Sequence, residues 1–150
     1  MKKVRKIYTA IMLIFIILFF VAFNIRFDHV DDPPLSSKVC DFEQSSCVKR
    51  TKMGRFVLNA NPSRIKSETE VNFKLTSKNH SLIKIKSAWL EGKDMYMGKI
   101  PLFFEANEQG FIADSMIGAC TDDSMVWQMV VNIEKNNITQ KLTFDFVSYR

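Results

Sequence analysis

The sequence predicts a mostly β protein: an N-terminal transmembrane helix followed by an antiparallel immunoglobulin-like β-sandwich of about seven strands. Three observations carry that expectation. Ile7 to Phe23 is a run of 17 residues without a charged side chain. From residue 54 onward apolar residues alternate with polar ones, the period of a strand and not of a helix. Turn residues then break the alternation every several positions.

The tail 1–6 holds Lys2, Lys3, Arg5 and Lys6. A basic cluster directly before an apolar run orients it with its N-terminus in the cytoplasm. The run is at the lower limit for crossing a hydrocarbon core of roughly 30 Å. Ile25 and Phe27 extend it to an anchor of 7–27, with Arg26 placed to snorkel at the far interface. A cleaved signal peptide is the rival, but Val21 to Arg26 puts bulky groups where a peptidase needs small ones. Residues 28–39, with Asp31-Asp32-Pro33-Pro34 and Ser36-Ser37, read as a polar linker. Residues 40–150 are then the extracytoplasmic β-sandwich domain.

Cys40 and Cys47 open that domain, seven apart across a polar loop. In an oxidising compartment they most simply form a disulfide; a redox pair or a two-thiolate metal clamp is the functional alternative. Strands are expected where Phe56 and Leu58, then Val71, Phe73 and Leu75, then Ile83 and Ile85 alternate with polar neighbours, the last leading into Ala88-Trp89-Leu90. Further strands are expected near Met95 to Met97, Leu102 to Glu105, Gly110 to Met116, Met125 to Ile133 and Gln140 to Val147. Lys78-Asn79-His80, Glu91-Gly92-Lys93, Asn107 to Gly110 and Lys135-Asn136-Asn137 supply the turns. An antiparallel barrel is the architectural alternative.

The net charge of +5 and pI of about 9.2 do not describe this domain. With the four tail charges set aside, 17 Lys+Arg face 16 Asp+Glu. The basicity is a topology signal, and nucleic acid is not an expected partner. Catalytic parts are equally scarce. There is no phosphate loop, no H-E-x-x-H, no paired C-x-x-C and no G-x-S-x-G, and the two histidines, His29 and His80, fall in a linker and a turn. A non-enzymatic role is expected.

Sulfur is the remaining chemistry. Met95, Met97, Met116, Met125 and Met129 gather around the odd Cys120. On a strand Met95 and Met97 would share a face, about 7 Å apart. Thioethers and thiolates are soft donors suited to Cu(I), which is satisfied by two or three of them. Cys120 or Met125, brought across from a neighbouring strand or loop, would complete such a site, with Gly98 allowing close backbone approach. The competing reading is plain core, since methionine fills gaps under tryptophans such as Trp89 and Trp127, and cysteine is commonly buried. An odd thiol outside the cytoplasm is also open to oxidation or to pairing with Cys40 or Cys47. Asn79-His80-Ser81 and Asn137-Ile138-Thr139 match a glycosylation triplet, meaningful only in a eukaryotic secretory setting.

Cys40 and Cys47 behind an anchor, Asp94-Met95-Tyr96-Met97-Gly98, and Cys120 followed by Met125-Val126-Trp127 together resemble small bacterial single-pass proteins with a periplasmic immunoglobulin-like domain, the FixH-like and YtkA-like families. The resemblance covers roughly residues 40 to 148. It implies the bacterial inner membrane as location, and copper handling or assembly of a copper-containing respiratory enzyme as function. It also implies Met95, Met97, Cys120 and Met125 as ligands. The motifs here lack histidine, so the implied site is one for Cu(I). Two other roles stand beside it: an interaction module of a larger membrane complex whose sulfurs are only core, and a thiol redox function of Cys120.

Overall fold

The computed structural model describes Met12, Ile14, Ile16, residues 39–78 and residues 80–150. The chain divides into two compact units, Met1–Ser36 and Ser37–Arg150. Met12, Ile14 and Ile16 are helical. The rest of the expected anchor 7–27, the linker as far as residue 38, and Asn79 of the first Asn-x-Ser triplet lie outside the described residues. Among the described residues no helix is long and apolar enough to cross a membrane.

The second unit is built from strands β1 (Cys47–Thr51), β2 (Gly54–Asn61), β3 (Glu70–Ser77), β4 (Lys84–Gly92), β5 (Lys99–Pro101), β6 (Glu105–Asn107), β7 (Gly110–Met116), β8 (Ser124–Lys135) and β9 (Ile138–Tyr149). They form two antiparallel sheets, β1-β2-β3-β7-β6 and β5-β4-β8-β9. Alternation decides which side chains go between them. Phe56 and Leu58, Val71, Phe73 and Leu75, and Leu142, Phe144 and Phe146 are all buried in one core, where the Phe73 and Phe146 rings from opposite sheets lie 5.5 Å apart. Their odd–even partners face outward.

Two local features follow from sequence chemistry. In β4 the apolar phase slips by one, from Ile83 and Ile85 to Ala88 and Leu90. The register slips with it, passing from Ile85↔Ile133 to Ser87↔Asn132. The bulge at Lys86 returns the later residues to the core face, leaving Ala88 and Leu90 buried. The β8–β9 hairpin closes on Asn136 and Asn137, at φ 52° and 62°. Two positive φ values in a two-residue turn match the twist of the flanking strands, and asparagine tolerates that conformation.

The strand expectations need three corrections. Among the described residues nine strands form, not seven: β1, β5 and β6 are short edge strands without apolar alternation, with Val48 solvent-exposed and β6 exposed throughout. Met95 to Met97 is no strand; pairing of β4 with β5 resumes only at Glu91↔Lys99, so residues 93–98 are the connection. The strand expected over Leu102 to Glu105 does not form as one: Leu102 N donates to Ala88 O at 2.9 Å as the last rung beside β5, residues 102–104 lie outside the strands, and the chain re-enters a sheet at Glu105.

Cys40 and Cys47 are joined in a disulfide. Cys40 N donates to Asp145 O, and Cys40 bridges Phe146 on the outer edge of β9. Cys47 begins β1, the edge of the other sheet. The bond therefore clasps the two sheets along one side. Because the closed loop is short, breaking it in Cys40→Ser/Cys47→Ser is expected to cost at most about 2.5 kcal/mol, read from urea denaturation.

Lys49 lies on the β1 edge. Burial lowers its pKa below the ordinary 10.5; Asp145 pulls it up and Lys93 pushes it down. The unfolded chain thus holds this proton to higher pH than the folded one. The ammonium opposes folding at neutral pH, and that cost is relieved as pH rises through the lowered folded value towards 10.5. Lys49→Met is expected to raise the denaturation midpoint at pH 7 and to remove this alkaline gain in a pH series of melts.

Candidate functional site

Three segments meet at one end of the sandwich: the β4–β5 connection 93–98, the β7–β8 connection 117–123, and the start of β8. Each is fixed locally. Lys93 N donates to Val126 O at 2.9 Å, and Lys93 Nζ pairs with the buried Asp145 carboxylate across the sheet. Ile117 is fully buried, and its carbonyl accepts from Glu68 N at 2.8 Å. Arg150 N donates to Asp123 O at 3.0 Å, closing the far end of that loop. Met125 enters β8 opposite Ser148.

Two of the predicted sulfurs meet here, and the other two methionine side chains pack nearby on Gly92. Cys120 Sγ lies 3.8 Å from Met95 Sδ, the thiol donating to the thioether. Gly92 forms the floor. A Cβ placed on it would collide with the Met95 carbonyl oxygen and Met125 Cε, and would stand 3.3 Å from Met97 Cγ. Met97 Cε in turn reaches to 4.0 Å from the Cβ position of Gly118, two residues before Cys120. The sulfur of Met97 is bonded to both of those carbons, so it lies between Gly92 and Gly118.

The four sulfurs differ in depth. Met95 is 44 % exposed, Met97 and Cys120 are half-buried, and Met125 is 7 % exposed. Met129 is fully buried in the core and Met116 is 58 % exposed at the end of β7, so the structure assigns neither to the cluster. Trp127 is buried behind Met125. Trp89 is turned the other way, with its indole donating to Glu91 Oε2 at 2.8 Å and its ring under Lys99. Among the described residues no three His, Cys, Asp or Glu side chains converge. His80 packs edge-on against Phe111, with Nδ1 3.3 Å from Ser77 O.

Two details differ from expectation. The methionines are gathered by loops, not presented side by side on a strand. The glycine of close approach is Gly92, whereas a Cβ on Gly98 would meet nothing within 4 Å; Gly98 is needed for its φ of 73°. Gly92 was visible in the sequence only as part of a turn, because the atoms that crowd it come from residues 95, 97 and 125.

Neither family models nor curated proteins give a match to this chain. Among solved structures, a DUF4426 family protein from Pseudomonas aeruginosa PAO1 is similar at 14% identity and a TM-score of 0.45, over 68% of this chain and 93% of that one.

Gly92→Ala is expected to destabilise the domain by about 1–3 kcal/mol, the usual range for forcing a methyl into a packed site. Urea denaturation measures it, and a cost near zero would mean that the methionine side chains are not held against the backbone as described.

Proposed function

We propose that this protein binds Cu(I) through Met95, Met97, Cys120 and Met125 as a non-enzymatic, membrane-anchored periplasmic protein, in support of copper or respiratory enzyme assembly. One observation carries the copper reading: a thiol and a thioether 3.8 Å apart, with two further methionine side chains packed on the glycine floor beside them. Such a donor set fits a soft monovalent ion and suits hard cations poorly. Bound there, Cu(I) would be a transferable metal that displaces the Cys120 proton to water, and the protein's own part is to hold it and to keep the inner thioethers dry.

The anchor reading is supported by Lys2, Lys3, Arg5 and Lys6 before the 17-residue apolar run. The Cys40–Cys47 disulfide is in keeping with an oxidising compartment. The two-sheet architecture is compatible with an immunoglobulin-like domain. A second reading, an interaction module whose sulfurs are core, has one observation behind it: Met125 is as buried as an ordinary core residue.

Titration with Cu(I) against a competing chelator separates the two. One tight equivalent is expected, lost in Met97→Leu and in Cys120→Ser. Absence of binding, with those variants only less stable, favours the interaction module.

A further inference from the structure

The geometry points to a division of labour within the sulfur site: we propose that Met95 is the exchange ligand, through which Cu(I) enters and leaves, while Met97, Cys120 and Met125 retain it. This rests on the Cu(I) reading and goes beyond it by giving the sulfurs separate roles.

Four sulfurs are more than the ion needs, since two or three satisfy Cu(I). One donor is therefore free to let go without abandoning the metal, and the structure distinguishes which. Met125 is fixed in the twelve-residue β8, which pairs with β4 on one side and β9 on the other. Met97 is wedged between the two glycines. Met95 instead sits in the connection 93–98 between Asp94 and Tyr96, both exposed, Tyr96 at 92 %. Its sulfur contact is with Cys120, whose thiol is a weak donor. The Met95 side chain, 44 % exposed, can turn outward while the other three stay in place.

Loading then proceeds as ligand exchange. An incoming donor gives up its bond to Cu(I) as Met95 Sδ forms one, and the Cys120 thiol releases its proton to water as the thiolate binds. On unloading, the Cu–Met95 bond breaks first and a soft donor of the receiving molecule takes its place. Copper stays Cu(I) throughout and no electron moves. The partner this fits is a protein presenting its own sulfur-bound Cu(I) site.

The test uses the full-length chain, with Cu(I) supplied and withdrawn as its bicinchoninate complex. Met95→Leu is expected to speed transfer to bicinchoninate about tenfold, because the position that Met95 must vacate is already open. Its equilibrium affinity should stay within about threefold, because all three retaining sulfurs are still in place. Met125→Leu removes one of those three and should weaken affinity by at least about tenfold, the lower end of what is lost when even a residue that only orients a ligand is removed. Thermal melts of both variants check that the fold is retained. Equal losses of affinity in the two variants, or an unchanged rate in Met95→Leu, overturn the assignment of Met95 while leaving Cu(I) binding intact. A wild-type chain that takes up no Cu(I) overturns the copper reading and this proposal together.

Discussion

The sulfur end of the sandwich depends on a hydrogen bond made in its dry interior, from Trp127 Nε1 to Ser148 Oγ at 3.1 Å. Both residues are buried, Trp127 completely. An indole N–H buried without an acceptor costs about 1–3 kcal/mol, so the large ring can occupy this place only with Ser148 across from it. Trp127 pairs in register with Phe146 and also with Gly92; Ser148 pairs with Met125. One bond therefore pins the strand that carries Met125, the strand beside it, and the glycine against which the methionines pack.

The other side of the molecule is held by different means. β9 is long and would present an unpaired edge, a hazard for any sandwich. Two segments cover it: Cys40 bridges Phe146, and Lys66 bridges Tyr149, with Tyr149 N donating to Ile65 O at 3.0 Å. The disulfide ties the first of these to β1, and Phe42 packs 6.0 Å from the Phe146 ring. The nearer, N-terminal half of β9 carries Lys141, a charge that discourages strand addition there.

Strand content was legible wherever burial imposes alternation. Phe56, Phe73 and Phe146 announce their faces because each must reach the same core. The phase slip between Ile85 and Ala88 became a bulge only with the register of β4 on β8. β1 and β6 were not, because an edge strand with solvent on its outer face and charges along it looks like a loop. For the site, residue type drew attention to Met95, Met97, Cys120 and Met125, but the way Met95 and Cys120 meet was not readable. Spacing of two suggested a strand, and only the pairing of Glu91 with Lys99 excludes it. Gly92 escaped notice since its necessity comes from distant atoms.

Core packing alone accounts for part of this arrangement and not the rest. Met125 behaves as a core residue should, and its burial needs no further explanation. Met95 does not. Burying a methionine side chain is worth about 1.5–3 kcal/mol, and a chain with only structural use for it would place it inside or replace it with a polar residue. Here it stands at the surface, beside an exposed tyrosine, with its sulfur directed at a half-buried thiol. A thiol–thioether contact is a weak hydrogen bond and a poor reason to keep two oxidisable groups near solvent. Under the proposed Cu(I) binding, both groups have a use at the depth where they are found.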